Sequence, residues 1–137
     1  MKKEFGLALL RIGMGALMLP HGFDKLSLLL SREEITFPAI LGMNPTFSLF
    51  LAVIAEVVCA FMLMIGFKTK LVSIPLIMTM LVAIFYVHLG NWGDMELASL
   101  YLIGYLTVFF NGSGKYSVDT VWEKFKAEQA KLQLVDY

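Results

Sequence analysis

Four stretches of nearly unbroken apolar sequence leave this chain few places to fold other than within a lipid bilayer. They run roughly from Phe5 to Lys25, Thr46 to Phe67, Leu71 to Leu89 and Met95 to Phe110. A hydrocarbon core about 30 Å thick is crossed by about 20 helical residues rising 1.5 Å each, and the second and third stretches match that length. The fourth is short, but no charge occurs from Leu97 to Gly114, so it spans with little tilt. The first carries Arg11 and ends at Lys25. Composition points the same way. The 137 residues are 58% hydrophobic and 16% charged, where soluble domains average about 45–50% and about 25%. A soluble domain this small has no core large enough to bury that much apolar surface.

Between the stretches lie turn signals. Gly66-Phe67-Lys68-Thr69-Lys70 is a short basic turn, and Gly90-Asn91-Trp92-Gly93-Asp94 a polar one. The link from Leu26 to Pro45 is longer, with Ser31, Arg32, Glu33 and Glu34 expected to cap a short interfacial helix. Asn111-Gly112-Ser113-Gly114 ends the fourth stretch, and Thr120-x-x-Glu123 reads as a capping box for a last helix to about Leu134. That helix sets Val121, Trp122, Phe125, Gln129 and Leu132 near one face, a pattern suited to a membrane surface or a partner protein. Lys2 and Lys3 resemble the start of a signal peptide, but Arg11 splits the apolar run and no small-x-small cleavage site follows, so the segment is read as a retained helix. The expectation is an all-α fold: an integral membrane four-helix bundle over residues 1–119, then an amphipathic cytoplasmic tail over 120–137.

Orientation follows from the basic residues. One side holds Lys2, Lys3, Lys68, Lys70, Lys115, Lys124, Lys126 and Lys131, the other only Lys25 and Arg32, which places both termini in the cytoplasm. Net charge is zero and no basic run occurs, which excludes nucleic acid as an expected partner. The single cysteine, Cys59, excludes an intramolecular disulfide and reads as a small core hydrophobe.

Ionisable groups inside spanning helices are expensive and usually face the bundle interior. Here they are Arg11, His21, Glu56 and His88, with Lys25, Asp94 and Glu96 at the outer boundary. Arg11, Met14, Gly15, Met18, His21, Gly22 and Lys25 fall within about 120° of helical arc, one polar and small-residue face. Gly13 and Gly15 suit close helix approach. Arg11 lies roughly 9 Å and Glu56 roughly 15 Å from the inner ends of their helices, which predicts a buried Arg11–Glu56 ion pair. Farther out, His21, His88 and Glu96 lie at one depth with Lys25 on the face of His21, a candidate ligand-binding cluster. Tyr86 and Trp92 near this level read as interfacial aromatics. No i, i+3 or i, i+4 ligand pair supports a metal site among them.

Arg11, then Pro20-His21-Gly22-x-x-Lys25-Leu26, Glu56, Gly66-x-x-Thr69-Lys70, His88, Glu96 and Gly112-x-Gly114-x-x-Ser117-x-Asp119 together resemble the DoxX family over residues 6 to 119, with Lys70 where arginine is expected. The resemblance implies a four-helix inner-membrane protein. Members and relatives are linked to quinol oxidase and thiosulfate:quinone oxidoreductase complexes and to oxidative-stress systems. An accessory subunit of a quinone-linked membrane assembly is one reading, with quinone carbonyls meeting donors on His21, His88 or Lys25. A structural or chaperone-like scaffold and a small proton-coupled transporter centred on Arg11 and Glu56 are the others. Electron transfer needs a cofactor, and the sequence carries no haem, flavin or iron–sulfur signature, so the chain is not expected to be an enzyme alone.

Overall fold

The computed structural model describes residues 1–31 and 34–135. All regular structure among the described residues is helical: α1 (Lys2–Leu30), α2 (Pro45–Ile65), α3 (Thr69–Val87), α4 (Trp92–Asn111) and α5 (Val118–Val135), with a 3₁₀ turn at Ile40–Gly42. Of these, α1, α2 and α3 are each long and apolar enough to cross a membrane. Together with α4 they pack around a core that includes Met18, Cys59, Leu63, Leu76, Tyr105 and Val108. Leu9, Leu17, Phe61, Leu71, Ile103 and Phe110 stand exposed on the outside, an apolar surface suited to lipid.

Local chemistry explains most helix ends. The Asn44 side chain accepts from Thr46 N at 2.8 Å while Pro45 takes the first helical position of α2. Gly66, at φ 72°, closes α2 as Phe67 N donates to Met62 O at 3.0 Å. Helix α1 runs past Lys25 because residues 26–30 hold neither glycine nor proline, and it passes through Pro20 unbroken. Ser31 then ends α1 rather than opening a new helix, its hydroxyl donating to Leu28 O at 2.8 Å. The short helix expected from Ser31 is therefore corrected: residues 34–39 are irregular, and Arg32 and Glu33 lie outside the described residues.

The start of α5 also differs. It begins at Val118, and Ser117 Oγ, not Thr120, accepts at its N-terminus, from Thr120 N at 3.2 Å. The loop ahead of α5 is tied to the α2–α3 turn. Asp119 N donates to Gly66 O at 2.9 Å, and the Asp119 carboxylate caps α3 by accepting from Lys68 N at 2.6 Å and Thr69 N at 3.0 Å. Lys115 N donates to Glu4 Oε2 at 3.0 Å. One end of the bundle thus gathers the N-terminus, the turn at 66–68 and the loop at 112–117.

Helices α1 and α2 run antiparallel and nearly touch backbone to backbone. A Cβ on Gly15 would sit 2.7 Å from Ala60 O, and one on Gly22 2.8 Å from Glu56 O. Gly13 faces open space, so Gly15 and Gly22 are the pair that allows the approach.

Candidate functional site

The close approach at Gly22 sets the carbonyl of Glu56 against α1 one helical turn from Lys25. Lys25 Nζ donates to Glu56 Oε2 at 2.5 Å, with the two side chains 29% and 5% exposed. The expected Arg11–Glu56 pair is therefore corrected. Side chains on a helix lean toward its N-terminus. In antiparallel helices Arg11 leans toward the lysine-rich end, while Glu56 leans away from it, toward the start of α2. Lys25, high on α1, leans back down and meets the carboxylate. Arg11, only 1% exposed, instead donates through its terminal nitrogens to Ser113 O and to Tyr116 O, the latter at 2.6 Å.

Around the Lys25–Glu56 pair lies a cleft of about 210 Å³, lined by Met18, His21, Lys25, Glu56, Met80, Ala83, His88, Asp94, Leu97, Ala98 and Tyr101. The structure thus brings His21, Lys25 and His88 to one place, and adds Glu56 to them. The His21 ring meets Tyr101 edge-on, centroids 6.1 Å apart, and Tyr101 stacks on the fully buried Tyr105 at 6.0 Å. His88 Nδ1 is 3.5 Å from Asp94 Oδ2, which also accepts from Asn91 Nδ2 at 2.7 Å.

Glu96 does not line this cleft. The buried stripe of α4 is Ala98, Tyr101, Tyr105 and Val108, at alternating steps of three and four. Asp94 continues that stripe by one step of four, whereas Glu96 falls two residues off it; both are exposed, so direction around the helix separates them. The carboxylate facing His88 is therefore Asp94. The spacing that excludes Glu96 was present in the sequence, as was the place of Tyr101 on the same stripe.

Two irregularities without a sequence signal shape the cleft. Helix α2 widens to i→i+5 hydrogen bonding over Ile54–Cys59, and α3 does so over Ala83–Val87, where His88 N donates to Ala83 O at 2.8 Å. Such widenings rotate the residues that follow and recur at functional sites. Here Glu56 sits within the first, Ala83 opens the second and His88 follows it, and all three line the cleft.

Chemically, the cleft offers an ammonium, two imidazoles and a phenol beside Met18, Met80, Ala83, Leu97 and Ala98. The Glu56 and Asp94 carboxylates share the cleft, facing Lys25 and His88, so donors and acceptors stand together between apolar walls. Among the described residues no three His, Cys, Asp or Glu side chains group closely enough to hold a metal ion.

Comparison with known proteins agrees with the residue pattern as far as residue 89, and Glu96 and the Gly112–Asp119 motif lie beyond the matched residues. No curated protein and no solved structure matches the chain. The sequence profile of the DoxX family matches residues 6–89, well over half of its length, including Arg11, His21, Lys25, Glu56 and His88. The chain belongs to the DoxX family.

Proposed function

We propose that the chain crosses the inner membrane four times with both termini cytoplasmic, and that it serves as an accessory subunit of a membrane redox assembly. In this reading the cleft at its outer end holds the headgroup of a quinone or similar carbonyl-bearing amphiphile. The observation that carries the reading is the convergence of Lys25, Glu56, His21, His88 and Tyr101 on one cleft with apolar walls.

The residues fit such a group. Sites for whole small molecules enclose roughly 300–1,000 Å³, so about 210 Å³ suits a ring-sized headgroup whose tail stays in lipid. Lys25, His21 and His88 would donate to its carbonyl oxygens, and Tyr101 would flank the ring. Glu56 holds the Lys25 ammonium in place, and Asp94 orients the His88 imidazole. A bound quinone would supply the two-electron, two-proton chemistry that the side chains themselves lack. The chain's own part is to bind, orient and hold protons at the imidazoles.

The topology rests on the eight lysines at one end, from α1, the 66–70 turn, the 112–117 loop and α5, against Lys25 toward the other; Arg32 lies outside the described residues. With Cys59 replaced by Ala, a single cysteine at Asn91 is expected to react with an impermeant thiol reagent in intact cells, and one at Ser113 to be protected. The reverse pattern would sink the orientation.

The ligand is tested by purification from native membranes in mild detergent and mass spectrometry of bound small molecules. Bound quinone is expected, lost in His21→Ala and His88→Ala with thermal stability nearly unchanged. A large stability loss in both variants, with no molecule bound to the parent, would favour a structural scaffold, for which the self-paired Lys25–Glu56 contact would be the natural centre.

A further inference from the structure

The end of the bundle opposite the His21–Glu56 cleft carries a second, larger hollow. It has a volume of about 660 Å³ and lies between the start of α1, the turn into α3, the 112–117 loop and the first turns of α5. Four lysines line it: Lys3, Lys68, Lys70 and Lys115. Glu4, Asp119 and Glu123 line it as well. Two of those carboxylates are already engaged by backbone amides, Glu4 by Lys115 N and Asp119 by Lys68 N and Thr69 N. None of the four ammonium groups forms an ion pair with a described carboxylate, since the ion pairs among the described residues are Lys25–Glu56 and His88–Asp94. Glu4 and Asp119 thus fasten the loops, Glu123 stands on the α5 wall, and the four lysines line the hollow outside any ion pair, with Lys68 Nζ 5.7 Å from the Phe67 ring centroid. The Lys70 side chain runs beside Gly112, its Cε 3.6 Å from where a Cβ would stand, and Gly112 takes φ 77°.

We propose that this groove binds a phosphate-bearing anion, and that its occupant is the headgroup of an anionic phospholipid. Lysine is a compact point charge suited to phosphate, and juxtamembrane lysines concentrate anionic lipid. The argument for lipid over a free phosphate comes from α5. Its Thr120 and Glu123 form one wall of the groove, while its neighbouring residues Val121, Trp122 and Phe125 stand exposed. Trp122 and Phe125 stack with centroids 6.3 Å apart, and Lys126 Nζ lies 5.4 Å from the Trp122 ring centroid. Tryptophan beside lysine is the composition of the headgroup layer. A lysine groove walled by a helix with that exposed face places phosphate and acyl chain where each is bound. Which leaflet this is rests on the topology proposed above, whereas the groove and its lysines do not.

The test uses the full chain in mild detergent, stripped of lipid and titrated by native mass spectrometry with phosphatidylglycerol or phosphatidylcholine of matched acyl chains. Phosphatidylglycerol is expected to bind at least tenfold more tightly. Lys68→Gln, Lys70→Gln and Lys115→Gln should each weaken it about fivefold, the contribution of one basic residue near an anionic surface. Lys131→Gln, outside the groove, should not weaken it. His21→Ala should also leave this binding intact, so that failure of the quinone reading and failure of this one are told apart. Equal binding of the two lipids, or full phosphatidylglycerol binding by the triple glutamine variant, overturns the proposal. Displacement by glycerol 3-phosphate at comparable concentration would keep the phosphate site and overturn the lipid assignment. A second readout does not depend on the lysine variants. In Trp92→Phe protein Trp122 is the only tryptophan, and in phosphatidylglycerol vesicles brominated lipid should quench it. Quenching by aqueous iodide alone would overturn the headgroup-level placement.

Discussion

Lys25→Met is expected to destabilise the protein by about 3–5 kcal/mol, the cost typical of stranding one member of a buried ion pair. The Glu56 carboxylate is almost fully buried, and no second cation pairs with it among the described residues. Removing Lys25 therefore leaves an anion among apolar helices. Glu56→Gln is expected to cost less, about 1–3 kcal/mol, because glutamine keeps an acceptor oxygen for Lys25. Lys25 is also partly exposed, and its flexible stem lets the ammonium straighten toward the helix end. The double variant should be more stable than the sum of the two losses predicts, since it strands neither charge. Reversible unfolding in mixed micelles measures all three. Strict additivity would show that the 2.5 Å contact carries no coupling. The same cycle run between Arg11 and Glu56 should give a coupling within about 0.5 kcal/mol, as for residues without contact.

Arg11→Met should be comparably severe for a different reason. Its guanidinium is buried and donates to two loop carbonyls three residues apart, Ser113 O and Tyr116 O. Hydrogen bonds to a charged donor contribute roughly 1.5–3 kcal/mol each, so a loss of about 3–6 kcal/mol is expected for the two. The damage should be local first. The same loop carries Lys115, bonded to Glu4, and leads into Asp119, which caps α3. Limited proteolysis should therefore cut the 112–117 loop in the variant well before the helices open. Arg11→Lys should rescue little, because a single ammonium does not reproduce the planar fork that reaches both carbonyls. Wild-type stability in Arg11→Lys, with the loop still protected, would mean that the two hydrogen bonds do not hold it.

How the loop and helix are joined also explains which features were legible in advance. The buried face of α1 was legible in part: Arg11, Gly15, Met18 and Gly22 recur at helical spacing and are buried, Met14 and Lys25 on the same arc are half-buried, and His21 at its edge is exposed. The three long apolar helices followed from length and hydropathy, and the break at Gly66 from its conformational freedom. These are properties of a segment and its solvent, so sequence alone carries them. The stripe on α4 that selects Asp94 over Glu96 is equally periodic; depth along the helix does not separate the two, and direction around it does.

The pairing of charges was not legible, because it belongs to no single segment. Depth estimates put Arg11 and Glu56 within reach of one another, and only the antiparallel packing of α1 on α2 shows that their side chains lean apart. Likewise Asp119 caps α3 across fifty residues of sequence, and Ser117 rather than Thr120 opens α5 because the loop is already fastened at both sides. The widened turns at Ile54–Cys59 and Ala83–Val87 have no local signature at all. Hydropathy and helical spacing alone dictate which surfaces must leave water and which residues of α1 pack against a neighbour. The tertiary structure decided which buried charge meets which partner, because a charge inside a bundle is stabilised by whatever donor or acceptor the neighbouring backbone brings within 3 Å.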